Sequence, residues 1–189
     1  MAEQTLYIKN MVCNRCIMVV KSVLKDMDIE PLSIRLGEVV LPKKLEESKK
    51  EELGKTLENL GFSLIDNKKG RIIEQIKTAI IELVHTNNNE LKINLSYFIS
   101  DRLHHDYKYL SNLFSEIEGT TIEKYYIAQK IERVKELLVY DELNLNEIAY
   151  QLNYSSVAHL SSQFKKVTGL TPSHFKQIKE NKRKPLDKV

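Results

Sequence analysis

Leu145-Asn-Glu-Ile-Ala-Tyr-Gln-Leu-Asn-Tyr-Ser-Ser-Val-Ala-His-Leu-Ser-Ser-Gln-Phe-Lys-Lys-Val-Thr-Gly169, followed by Leu170-Thr171-Pro172, is the stretch that decides the fold. Its spacing predicts two short helices about a tight turn. Asn144 caps the first, which runs to Leu152. Ser155 caps the second, with Leu160, Phe164 and Val167 inward and Gly169 as its stop. A helix-turn-helix needs a small residue where its helices cross and a turn residue tolerant of unusual φ. It also needs an inward apolar residue on the second helix. Ala149, Asn153 and Leu160 fill these places, and Asn enters the left-handed region more readily than most residues. Thr171 caps a last helix that starts at Pro172, a favoured first position.

The same plan stands 50 residues upstream, at Asn94–Gly119. Asn94 caps a helix with Phe98, Ile99 and Leu103 inward. Asp106 caps the next, with Leu110, Leu113, Phe114 and Ile117 inward and Gly119 as the stop. Ser100, His104 and Leu110 make a weaker set than Ala149, Asn153 and Leu160. A long helix from about Ile122 to Leu138 joins the two units, with Tyr126, Ile127, Ile131, Val134, Leu137 and Leu138 as its core stripe. Before the repeat, Ile72, Ile73, Ile76, Ile80, Leu83 and Val84 have helical spacing, broken at Asn87-Asn-Asn89.

The first third reads differently. Thr5–Lys9 alternates as a strand does, and Cys16, Val19, Val20, Val23 and Leu24 share a helical face. Leu32–Leu36 and Val39–Leu41 predict strands about Gly37-Glu38. Lys44–Leu60 predicts a helix ending at Gly61, and Phe62–Ile65 a last strand. The order βαββαβ predicts a ferredoxin-like unit. Asp66-Asn-Lys-Lys-Gly70 reads as a polar hinge. The expected class is therefore α+β: a ferredoxin-like domain at 1–68 and an all-α tandem helix-turn-helix domain at 69–189.

Charged residues make up 29% and hydrophobic residues 42% of the 189-residue chain, as in an ordinary soluble domain. There is no apolar run long enough for a membrane span and no basic-then-apolar N-terminal pattern, so a cytoplasmic location is expected. The net charge of +3 sits wholly in residues 69–189, a mild basic bias that suits nucleic acid. No nucleophile–base arrangement, phosphate-cradling glycine loop or paired carboxylates point to an enzyme.

Tyr109-Leu-Ser-Asn-Leu-Phe114 with Gly119, Lys130-Ile-Glu-Arg-Val-Lys-Glu-Leu-Leu138, Glu147-Ile-Ala149 and Phe164-Lys-Lys-Val-Thr-Gly-Leu-Thr-Pro172 carry a resemblance. Over roughly Ile72–Gln177 the chain resembles the AraC/XylS family of transcription regulators. That resemblance implies two helix-turn-helix units entering successive major grooves of double-stranded DNA. By position, the first reading helix offers Lys108, Ser111 and Asn112 to base edges, and the second offers Val157, Ala158, Ser161 and Ser162. Asn bonds adenine bidentately, Ser bonds several bases, and Val or Ala touches a thymine methyl. Lys165 and Lys166 would hold phosphates, with the helix N-termini near Tyr107 and Ser156. His104 and His159 read equally as turn or packing residues. The bland alternative is a helical domain that does not bind DNA. A tandem unit can act as a monomer, so a homodimer is compatible with this reading but not required.

The two cysteines, Cys13 and Cys16, are too close in sequence to staple a fold. Met11-Val-Cys-Asn-Arg-Cys16 lies between the first strand and the first helix. One cysteine on a loop and one entering a helix can converge on a soft ion, and the helix N-terminus favours thiolate. Residues 3–66 resemble the heavy-metal-associated domain of copper chaperones and metal-pumping ATPases, whose motif is M-x-C-x-x-C. The resemblance implies Cys13 and Cys16 as ligands and Met11 as a buried support, with Gly61-Phe62 near the site. Asn10 departs from it, because glycine is usual there. Two thiolates suit Cu(I), whereas Zn(II) wants two more ligands. A redox pair, or two thiols on a scaffold used for oligomerisation or protein contact, are the competing readings. A metal chaperone with a helical appendage is the competing function.

Overall fold

The computed structural model describes residues 3–86, 94–140 and 142–178. The chain divides into two compact units, Met1–Thr78 and Ala79–Val189. The division falls inside a helix, between Thr78 and Ala79.

In the first unit, β1 (Gln4–Lys9), α1 (Asn14–Asp26), β2 (Ser33–Arg35), β3 (Glu38–Leu41), α2 (Glu47–Asn59) and β4 (Ser63–Ile65) follow the expected order. The sheet runs β2-β3-β1-β4, and every pairing is antiparallel. Leu6 stands opposite Val39, and Ile8 opposite Leu64. Side chains alternate across a strand, so Leu6, Ile8, Val39 and Leu41 share one face. They bury against Val20, Val23 and Leu24 of α1 and Leu53 and Leu57 of α2. Helix α2 starts three residues later than the spacing of Lys44–Leu60 predicts. The Leu45 amide is taken instead by the Gln4 side chain, at 2.8 Å.

The other face of the sheet is also used. Helix α3 (Lys68–Ile81) sets the Arg71 guanidinium 5.0 Å from the centre of the Tyr7 ring. One turn on, Gln75 Nε2 donates to Glu38 Oε1 at 3.0 Å. Tyr7 and Glu38 alternate with the core residues, so α3 packs on the face away from α1 and α2. Gly37 sits at φ +75° in the β2–β3 turn, where a Cβ would lie 3.1 Å from Thr78 Oγ1.

Side-chain contacts tie the stretch Asp66–Gly70 into this unit. The Asn67 side chain accepts from the Gly70 amide at 2.6 Å, which caps α3. Lys50 Nζ pairs with Asp66 at 2.7 Å, and Arg71 donates to the Asp66 carbonyl at 3.0 Å. An Asn three residues before a glycine reads as a loop in sequence, yet here its carboxamide starts a helix.

In the second unit, a π-helical turn (Glu82–Thr86) follows α3. Then come α4 (Leu95–Leu103), α5 (Tyr107–Glu118), α6 (Ile122–Tyr140), α7 (Leu145–Gln151), α8 (Val157–Thr168) and α9 (Pro172–Ile178). The expected break at 87–89 lies outside the described residues. Helix α6 runs through the middle. Its Ile131, Val134 and Leu138 pack with Ile148, Ala149 and Leu152, with Leu160 and Phe164, and with Phe175. The rings of Phe164 and Phe175 meet edge to face at 5.5 Å.

Two inward assignments are corrected. Ile117 and Val167 are each 46% exposed. Both lie in the last turn before a glycine stop, where the helix has passed the neighbours that bury its apolar stripe. Val19 of α1 is exposed too. Conversely, α6 buries Gln129, Lys130, Glu132 and Lys135 beside its apolar stripe. A helix flanked on several sides has no solvent face to mark in its sequence.

Candidate nucleic-acid interface and cysteine site

Both turns take the backbone form that a helix-turn-helix needs. His104 closes α4 at φ 54°, and Asn153 follows α7 at φ 55°. The Asp106 carboxylate accepts from the Tyr109 amide at 3.2 Å and so starts α5. Asn144 starts α7 with a reciprocal pair: its side chain takes the Glu147 amide at 3.1 Å, and Glu147 takes the Asn144 amide at 2.7 Å. Helix α8 is capped by Ser156, not Ser155. The Ser156 hydroxyl accepts from the His159 amide at 3.1 Å, whereas Ser155 Oγ lies 3.0 Å from His159 Nδ1. Only a residue three positions before that amide, in extended backbone, can reach it. His159 is thereby tied into the turn, and its ring meets Tyr154 edge-on at 5.4 Å. Gly119 and Gly169 end α5 and α8 at φ 65° and 79°.

The residues expected to face DNA separate into groups. On α5, Lys108 and Asn112 are exposed and Ser111 is half-buried. On α8, Ala158, Ser162, Lys165 and Lys166 are exposed, and Ser161 is half-buried. Val157 is half-buried and packs against the apolar cluster beneath α8. Its side chain already has an apolar partner. Lys165 and Lys166 lie in the last turn of α8, where a cation also suits the helix dipole. Spacing did not single out Gln163, which lies between Ser162 and Phe164. Its Oε1 accepts from the Tyr154 hydroxyl at 2.8 Å, so the turn after α7 orients a side chain on α8.

In the first unit the two thiols converge. Cys13 is the N-cap residue of α1 and makes no side-chain capping bond. Its Sγ lies 3.6 Å from Cys16 Sγ, and both cysteines are free. Cys16 Sγ also lies 3.8 Å from the Asn10 carbonyl oxygen. Met11 is 2% exposed and joins the core, as a support would. Burial raises the Cys16 thiol pKa above its ordinary value, and the neighbouring Cys13 adds to this. At Cys16, then, desolvation outweighs the stabilisation of thiolate expected from the helix N-terminus. Asn10 stands at φ 71°, a conformation glycine adopts freely and Asn tolerates. Its Nδ2 donates to the Gly61 carbonyl at 2.9 Å, so the substituted side chain is used to hold the loop.

The donor set is two soft sulfurs over an apolar floor, which fits a monovalent soft cation. Among the described residues, no three His, Cys, Asp or Glu side chains stand together as a metal cluster. A four-coordinate Zn(II) site would therefore need ligands from elsewhere. Among those residues, no helix is long and apolar enough to cross a membrane.

Residues 99–178 match a helix-turn-helix domain family. The chain is 26% identical over 119 residues to an uncharacterized HTH-type transcriptional regulator, YtdP, of Bacillus subtilis, covering 62% of this chain and 15% of that protein. It is 33% identical over 69 residues to the xylose operon regulatory protein of Escherichia coli K12, covering 36% and 18% respectively. The chain thus spans less than a fifth of the length of these relatives. The C-terminal domain of AraT, a response regulator from Geobacillus stearothermophilus, superposes with a TM-score of 0.50 at 22% identity, over 59% of this chain and 88% of that one. At that identity the likeness speaks to fold alone. Two turns in left-handed backbone, two capped second helices and the family match together make residues 99–178 a helix-turn-helix domain.

Proposed function

We propose that this chain is a sequence-specific transcription regulator that reads double-stranded DNA with α5 and α8 and responds to a soft metal ion at Cys13 and Cys16. The observation that carries the DNA reading is the repeated turn. His104 and Asn153 each set a capped second helix against the core through Leu110 or Leu160, leaving a small polar face outward. Lys108, Ser111, Asn112, Ala158, Ser161 and Ser162 would meet base edges, with Val157 limited to its outward methyl. Lys165 and Lys166 would meet phosphates. The similar proteins named as transcription regulators support the same reading.

The metal reading rests on the converging sulfurs. We read the four-stranded unit as ferredoxin-like and akin to heavy-metal-associated domains, with its boundary to the DNA-reading part near residue 68. Cys13 and Cys16 would hold Cu(I), or Zn(II) with further ligands from a second copy. A bound ion supplies a cross-link between the 10–13 loop and α1. The chain's own residues then determine how that loop is held.

The test is a titration of the reduced full-length chain with Cu(I) and with Zn(II), read as affinity for a selected DNA duplex at fixed salt. A change in affinity that disappears in Cys13→Ser/Cys16→Ser supports the sensor. Metal binding with unchanged DNA affinity points to a carrier or storage role. DNA binding without metal binding makes the first unit an oligomerisation or protein-contact module.

A further inference from the structure

We propose that Asn10 and Glu74 form a relay that ties the state of the cysteine pair to helix α3; this rests on the metal reading above. The Asn10 backbone is held on both sides. Its amide donates to Glu74 Oε1 at 3.1 Å, across 64 residues of sequence. Its carbonyl oxygen faces Cys16 Sγ at 3.8 Å. Its side chain is pinned to Gly61, and its φ of 71° lies in a narrow well.

Glu74 is 8% exposed, so this is no casual surface contact. A carboxylate so far from water has to be met by donors. It sits between Arg71 over Tyr7 and Gln75 on Glu38, the contacts that seat α3 on the sheet. A soft cation takes the place of the thiol proton when it binds cysteine. Cys16 then has no hydrogen to offer Asn10, and a sulfur lone pair faces the carbonyl oxygen. The carbonyl turns away. Because the left-handed well is small, φ and ψ change together, and the Asn10 amide moves off Glu74. The seat of α3 therefore depends on whether the cysteines hold an ion. The chain passes from one unit to the other within α3, between Thr78 and Ala79.

Amide hydrogen exchange of the α3 backbone, in the reduced full-length chain with and without one equivalent of Cu(I), tests this. A colorimetric Cu(I) chelator measures binding in parallel. The expected result is a several-fold change in exchange over Lys68–Thr78 on binding. Glu74→Leu, which keeps an apolar volume but removes the acceptor, binds Cu(I) and loses the change. Glu74→Gln, which keeps an acceptor oxygen, restores it. Unchanged wild-type exchange despite Cu(I) binding overturns the relay and leaves the metal site standing. A Glu74→Leu variant that responds like wild type does the same. Absence of Cu(I) binding by the wild-type chain overturns the metal reading, and the relay falls with it.

Discussion

The ammonium of Lys130 lies 3.8 Å from the centre of the Tyr154 ring and 5.5 Å from that of Tyr126. Lys130 projects from the central helix α6, and Tyr154 follows the turn residue Asn153. The cation thus adds a polar link between α6 and the elbow of the second helix-turn-helix to the apolar cluster that already joins them. A desolvated cation–π contact is worth about 2 kcal/mol. Taking an ammonium from water costs more than that unless hydrogen-bond acceptors compensate.

Burial lowers the Lys130 pKa from 10.5 to about 8. Between those values the unfolded chain holds a proton that the folded chain has released. Stability from this group therefore rises with pH across that window, by at most about 1.4 kcal/mol per unit. Lys130→Met keeps the volume and removes the charge. It should match or exceed wild-type stability at pH 7, and the difference should shrink toward pH 9.5. Urea midpoints at a series of pH values check this. A gap that stays constant from pH 7 to 9.5 means that the ring contacts offset desolvation at Lys130.

Asn153 holds left-handed backbone at φ 55° with no Cβ-free residue to do it. Asn153→Ala should cost about 1–2 kcal/mol, because a plain Cβ is disfavoured there. Asn153→Gly should be near neutral. Thermal midpoints of the two variants separate a conformational role from a contact made by the carboxamide, which both variants would lose alike.

How much of this was legible in the sequence depends on how local the cause is. Asn94, Asp106, Asn144, Gly119 and Gly169 act within one turn of themselves, and each takes its expected place. Ser155 and Ser156 are chemically equivalent, so composition could not choose the cap. Geometry chose Ser156. The convergence of Cys13 and Cys16 was legible because they are three residues apart. Glu74 was not, because its partner Asn10 lies in another element and a glutamate on a helix ordinarily reads as solvated. Likewise, the Asn67 carboxamide that starts α3 reads as part of a polar linker.

On α8, Lys165 and Lys166 have two competing explanations, and one variant separates them. If Lys165 holds a phosphate, Lys165→Ala weakens binding to all duplexes and lowers the slope of log affinity against log salt by about one unit. If it serves the helix terminus, it loses about 0.3–1 kcal/mol of stability with the salt slope unchanged. Asn112→Ala and Ser162→Ala should instead lose about 1–3 kcal/mol of preference at one base position. Binding to duplex libraries at several salt concentrations reads all of these.

Replacement of the cysteines should discriminate a paired site from a lone thiol. The sulfurs lie 3.6 Å apart, and among the described residues no third His, Cys, Asp or Glu completes a cluster with them. An ion held by two ligands loses its site when either is removed. Cys13→Ser and Cys16→Ser should therefore each abolish tight Cu(I) binding about as fully as the double variant, a strongly non-additive pattern. Cys16 packs against the core of the first unit, so Cys16→Ser should also cost some stability. Cys13 sits at the N-cap, where Ser is the better capping residue, so Cys13→Ser should hold or raise the thermal midpoint. Loss of Cu(I) in a variant that is no less stable assigns the effect to the ligand rather than to the fold. Graded, additive losses would mean that each thiol binds on its own, and the two-sulfur site would be wrong.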